Sequence, residues 1–173
     1  MPVDPYAKEN AQIRILIQSG NAKVRNQDYD GAIADFTEAI RIAKDLPDML
    51  RSGPYINRGL AYQKKGDLDA ALDDLNKAIK IQSNNVYAYQ DRAVVHEKRN
   101  EFAEAIADYT KAIKLNSKFP PPYNGRGLLF LKLGKDVEAE ADFTKYLELF
   151  PNGKDSLEKE KQKIKDERAK SQP

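Results

Sequence analysis

The chain has 173 residues, one domain's worth, and its 29 basic and 27 acidic residues are well mixed, leaving a net charge of +2. That balance lacks the concentrated basic face of a nucleic-acid binder. With no cysteine there are no disulfides and no thiolate zinc sites, and the longest apolar stretch, Ile13 to Ile17, is broken by Arg14 and far too short to cross a bilayer.

In chain order the pattern is helical throughout. Asp4-Pro5 reads as an N-cap followed by proline, which starts the first helix near residue 5. Leu16 and Gly20, then Ala32, Phe36, Ala39 and Ile40, mark a helix pair across 13–46. Leu46-Pro47 closes that pair, five extra residues fall around Pro47–Arg51, and Ser52-Gly53-Pro54 reopens the chain. From there an interval of 34 residues governs Tyr55, Tyr89 and Tyr123, then Ala71, Ala105 and Ala139. The units so marked run 52–85, 86–119 and 120–153. Each breaks at Gly66, Asn100 or Gly134, residues suited to a left-handed helix end, and Asp67 or Glu101 sits at the positive start of the next helix. Residues 154–171 read as a charged helix whose thin apolar stripe is Leu157 and Ile164.

A period of this length means one supersecondary element stacked on copies of itself. An aromatic residue, a small one four on, a large one three further, then Ala and an aromatic or Leu four apart closely resembles the tetratricopeptide repeat, in four copies over 13–153. The usual Trp of that repeat is Tyr or Leu here, its closing Pro survives only at Pro151, and the Asn-Arg-Gly wording resembles bacterial members. The resemblance implies an all-α fold: one domain, a right-handed α-solenoid of four stacked helix-turn-helix repeats with a capping helix over about 154–171. A polar-faced cap keeps such arrays soluble.

Chemistry is sparse. The one histidine, His96, occupies the repeat position of Tyr62 and Phe130, a packed site. Asp67, Asp69, Asp73 and Asp74 cluster without the glycine turn and terminal Glu of a calcium loop. Phosphate loops and nucleophile elbows are missing. No catalytic residue, metal site or cofactor is expected, and the protein reads as a non-enzyme. The most regular polar feature is a pair of ladders, Arg58, Arg92 and Arg126 against Asp35, Asp74, Asp108 and Asp142, with Ser19 where the first arginine would be. These look like structural ion pairs, formed within a unit or across to the next. Across-unit pairing would leave Asp142 for the C-terminal helix. The alternative is arginines facing a ligand carboxylate.

The first helices of tetratricopeptide units line a concave groove. The resemblance places Ile17, Asn21 and Arg25 there from the first unit, and Ile56, Asn57, Leu60 and Lys64 from the second. Tyr87, Gln90, Val94 and Lys98 follow from the third, and Asn124, Leu128, Leu131 and Lys132 from the fourth. Ile56, Leu60, Val94, Leu128 and Leu131 make an apolar floor, and Arg25, Lys64, Lys98 and Lys132 a basic edge. Such a patch with a polar rim marks an interaction site unless an N-terminal extension or a second copy covers it. Co-chaperone members of the family clamp acidic chaperone tails with two Asn and three basic residues. Asn21 and Asn57 match, but Ile17, Tyr87 and Asp91 stand where the basic residues belong, so this is not such a clamp. The expectation is an adaptor that binds a protein or peptide partner with acidic flanks in the groove. A self-associating structural module, or an acidic-ligand or carboxylate-metal site, is the alternative. No nucleic-acid partner and no transmembrane segment are expected. A cytoplasmic location is expected, with a mature secreted or periplasmic form that has lost its signal peptide as the other possibility.

Overall fold

The computed structural model describes residues 5–171 and is all-α, with no strand among the described residues. Two compact units divide it, Met1–Val95 and His96–Pro173.

Unit 1 holds α1 (Ala7–Arg25), α2 (Tyr29–Ala43), α3 (Asp48–Lys65), α4 (Leu68–Ile81) and most of α5 (Val86–Lys98). α1 pairs with α2, α3 pairs with α4, and α2 packs against α3. The expected N-cap at Asp4 lies outside the described residues; α1 starts at Ala7 with no side-chain cap. Glycines make the hairpins tight. A Cβ on Gly20 would run into the Phe36 ring, and one on Gly59 would press on Leu75. Around these contacts Ala32, Phe36 and Ala61 form one buried cluster, and Ala71, Leu75 and Val95 another. Burial of each large side chain contributes roughly 1.5–3 kcal/mol.

The break expected at Ser52-Gly53-Pro54 does not occur. α3 begins at Asp48, behind Pro47, and runs through Pro54 without interruption. Pro54 removes one helix hydrogen bond, but the neighbouring contacts compensate. Ser52, 1% exposed, donates its hydroxyl to Gln82 Oε1 at 2.7 Å, and Leu50 packs on the cluster around Ile13. The five extra residues therefore become an added turn at the start of α3.

Helix ends follow their local chemistry. Gly66, Asn100 and Gly134 have φ of 95°, 61° and 75°, and Gln27 takes the same left-handed conformation at 62° with no glycine to signal it. Asp28 and Asp67 accept the backbone N–H of Gly31 and Ala70 as N-caps. Glu101 holds the corresponding place but caps nothing. Its carboxylate is taken instead by His96 Nδ1 at 2.6 Å and Arg99 Nε at 2.7 Å, and these two hydrogen bonds hold its pKa below the ordinary value.

Unit 2 comprises the end of α5, α6 (Phe102–Leu115), α7 (Pro121–Lys132), α8 (Asp136–Leu149), a 3-10 turn at Pro151–Gly153, and α9 (Lys154–Ser171). Its core gathers Tyr123, Leu131, Ala139, Phe143, Tyr146 and Leu157, with Leu128 and Ile164 packed on the edge. Ala105 on α6 is wholly buried. Gly127 repeats the close approach of Gly20 and Gly59, lying against Phe143. α9 buries its Leu157–Ile164 stripe and packs along α7.

Candidate functional site

The arginine ladder is a structural brace. Arg58 grips Asp74 with two parallel hydrogen bonds, Nε to Oδ2 at 2.7 Å and Nη2 to Oδ1 at 2.9 Å. Arg126 grips Asp142 in the same way, both bonds at 2.8 Å. Each pairing joins the two helices of one hairpin, so Asp142 is not left for the C-terminal helix. The third donor reaches back to the preceding hairpin, from Arg58 to Thr37 Oγ1 and from Arg126 to Thr110 Oγ1. Arg92 likewise donates to Asn76 Oδ1 at 2.7 Å. The guanidinium of Arg58 also lies over Tyr55 and Tyr62. With Ser19 in place of the first arginine, Asp35 accepts from Ser19 Oγ and pairs with Lys23, each at 2.7 Å. Burial raises the Asp35 pKa, but the hydrogen bonds from Lys23 and Ser19 outweigh it and hold the carboxyl below its ordinary value. Asp108 is buried, with His96 Nε2 at 3.8 Å.

Thr37, Asn76 and Thr110 were not singled out from the sequence. Each sits two residues after a ladder aspartate, and that recurrence of a hydroxyl or amide was the available signal.

In unit 2 the expected groove positions are largely covered by the chain's own last helix. Leu131, expected on the groove floor, is 2% exposed and belongs to the core with Leu157; Leu128 packs against the same cluster. Asn124 donates weakly to Glu160 of α9 at 3.4 Å, and its Oδ1 is buried with no hydrogen-bond partner. The reason is α9: its apolar stripe needs a partner, and α7 offers one. Lys132 stays exposed, its ammonium 4.8 Å from the centre of the Phe102 ring, and Lys98 is exposed as well.

Unit 1 keeps an open face. Between α3 and α5 lies a cleft of about 230 Å³, lined by Leu60, Gln63, Lys64, Gln90, Asp91 and Val94 over a floor of Gly59, Leu75 and Val95. Of the expected groove residues, Leu60, Lys64, Gln90 and Val94 come together there, and Ile56 packs on the cluster beneath. Ile17 and Asn21 are half-buried on α1, and Arg25 is exposed at its end. Asn57 turns its amide onto the Gly53 carbonyl at 3.0 Å, and Tyr87 stands 59% exposed at the start of α5. Burial with no compensating charge raises Asp91 from 3.8 to about 6. Sequence reasoning met Asp91 only as a mismatch to the chaperone clamp.

No group of side chains suited to a metal ion occurs among the described residues, and no described helix is long and apolar enough to cross a membrane.

Comparison with known proteins follows the same lines. Family models described as tetratricopeptide or TPR repeats match residues 13–46, 54–85 and 97–134. Sperm-associated antigen 1 of Rattus norvegicus is 31% identical over 84 residues, 49% of this chain and 9% of that protein. A photosystem I assembly protein of Prochlorococcus marinus is 30% identical over 76 residues, 44% of this chain and 43% of its own length. The chain thus spans less than half the length of these curated relatives. Among solved structures, the first TPR of Spaghetti, bound to the HSP90 peptide SRMEEVD, is 30% identical with a TM-score of 0.61, covering 68% of this chain and 93% of that one. A tetratricopeptide repeat protein from Parabacteroides merdae superposes over 93% of this chain and 63% of its own, with a TM-score of 0.71 at 23% identity, a likeness of fold. Helix pairs, glycine-to-aromatic contacts and matched models agree: the chain belongs to the tetratricopeptide repeat family.

Proposed function

We propose that the protein is a non-enzymatic adaptor, and that a segment of a partner protein docks on the α1, α3 and α5 face of unit 1. The observation that carries this reading is the open cleft between α3 and α5, with half-buried Leu60 and Val94 beside exposed Lys64. Mostly apolar clefts with a few convergent polar groups are where ligands anchor. The relative solved with an HSP90 peptide supports a peptide as the ligand class. The chemistry of the two ligands differs, because Ile17, Tyr87 and Asp91 here replace the basic residues of a chaperone-tail clamp. Arg25 and Lys64 at the exposed edge favour acidic residues flanking the anchor. Unit 2 contributes less, since α9 already lies along α7.

Random-peptide display on the intact chain tests this. Recovered peptides should compete for one site and lose at least about tenfold in affinity against Leu60→Asp. Charge reversal at Lys64 should slow association and flatten its salt dependence if the flanks are acidic. Peptides that bind the Leu60→Asp variant unchanged would place the site elsewhere.

A further inference from the structure

Asp91 and Gln63 line the α3–α5 cleft in a way that the braces elsewhere do not. Among the described residues every buried ladder aspartate is engaged: Asp74 by Arg58, Asp142 by Arg126, and Asp108 beside His96. Asp91 also lines a wall of the protein, yet no hydrogen bond or ion pair reaches its carboxylate. Lys64, the one cation lining the cleft, forms no ion pair with it. Gln63 is 8% exposed, and its side-chain amide has no hydrogen-bond partner either. Polar groups on a cleft wall with no protein partner hold their hydrogen bonds with water, which a bound group can displace. The buried side-chain atom left without a partner among the described residues is Asn124 Oδ1, so solvent still reaches Asp91 and Gln63; two polar groups with no protein partner on one cleft wall, beside Leu60 and Val94, describe a half-completed contact.

The geometry points to a pocket for one basic side chain of the bound segment, a lysine or arginine whose aliphatic stem lies over Leu60 and Val94 and whose cationic end meets the Asp91 carboxylate and the Gln63 amide oxygen. This rests on the reading of the unit 1 face as a docking surface and specifies what its centre selects. The charge at this point is opposite to that of the chaperone clamp, where the same repeat position carries a base. Room is adequate: a cleft of about 230 Å³ holds several waters and is enough for one long side chain. A carboxylate in a partly desolvated cleft rewards a cation more than a water-exposed one does, because the pair forms in a lower local dielectric. Long basic side chains suit such sites, burying the stem while the charged end stays polar. The ligand that fits is amphoteric, with a basic residue in the cleft and acidic residues outside it, opposite Arg25 and Lys64.

The test needs no natural partner. Amide resonances of the isotopically labelled full chain are followed by NMR during titration with n-butylguanidinium, with neutral n-butylurea of nearly the same shape, and with butyrate. Butylguanidinium should give saturable shifts at Leu60, Gln63, Gln90 and Val94 and bind at least tenfold more tightly than butylurea, while butyrate leaves those residues unmoved. Asp91→Asn should erase the preference of guanidinium over urea, and Gln63→Leu should weaken guanidinium binding severalfold. Equal affinity for guanidinium and urea in the native chain, or butyrate shifting the same residues, overturns the proposal, as does an undiminished preference in Asp91→Asn. The small-molecule titration reports on the pocket alone. If peptide display fails while the guanidinium titrates, the docking reading falls and the pocket stands; if peptides dock without a basic residue at a fixed place, the pocket falls and docking stands.

Discussion

Replacing Asp91 with Asn should stabilise the free protein at neutral pH and do nothing in acid. Burial lifts the Asp91 carboxyl from 3.8 to about 6, with no hydrogen bond or cation to offset it. The unfolded chain releases the same proton near 3.9. A gap of about two pH units at 1.36 kcal/mol each makes the ionised carboxylate a liability of up to about 3 kcal/mol, and its partial opening to solvent trims that to about 1–3 kcal/mol. The sign follows from proton counting. Between the two pKa values the folded chain holds the proton that the unfolded chain has lost, so stability from this group is complete below about pH 4 and gone above about pH 6. Asparagine has nearly the shape of the protonated acid and never ionises. Urea unfolding of both proteins at about pH 7.5 should show the variant ahead by about 1–3 kcal/mol, and at about pH 4 the difference should close. Comparing the pair removes the opposing trend from Asp35 and Glu101, whose lowered pKa values make stability fall as pH drops. Equal stability at pH 7.5, or a gain that persists undiminished at pH 4, would refute the reasoning.

Other expectations are simpler. Ala105→Phe places a ring where no surface is accessible and should cost about 1–3 kcal/mol or more, read as a lowered Tm; an unchanged Tm would sink the repeat register. Leu157→Ala opens a cavity under α9 and should cost about 2–5 kcal/mol in urea titration, with faster exchange of α9 amides; a loss below about 0.5 kcal/mol would mean that α9 adds no packing. Arg126→Ala strands buried Asp142 and should cost about 3–5 kcal/mol, whereas Arg126→Leu with Asp142→Leu should recover much of it; a double variant no better than the single one would show that the pair itself, and not the stranded charge, dominates.

The parts of the fold legible in the sequence were those that every hairpin must repeat. Gly20 against Phe36, Gly59 against Leu75 and Gly127 against Phe143 recur, with buried Ala93 at the same place in the third hairpin, because two helix axes approach closely where the side chain is small or missing, and that need writes itself into composition. Asp74 and Asp142 were visible as ladder members for the same reason. What local pattern hid was tertiary. Ser52-Gly53-Pro54 carries every mark of a break, yet the bond from Ser52 to Gln82, thirty residues away, holds it helical. Leu131 looks like a groove residue by repeat position, and only the docking of α9 makes it core. Gln63 and Asp91 are unremarkable letters at ordinary spacing; their significance is that nothing answers them across the cleft, which no single helix can reveal.

The flat guanidinium of Arg58 touches three helices at once: its own α3, Asp74 on α4 and Thr37 on α2. Arg126 does the same for α7, α8 and α6. A hairpin that opened alone would tear the bond to its predecessor, and a single departing helix would leave a carboxylate dry and uncompensated. Arg92 on α5 extends the chain of bonds to Asn76 on α4, and Ser19 and Lys23 on α1 extend it to Asp35 on α2, so in unit 1 no single hairpin comes loose without breaking one. Local opening in this protein should therefore have a grain coarser than the repeat that the sequence spells out, and amide exchange should slow over several helices together rather than hairpin by hairpin.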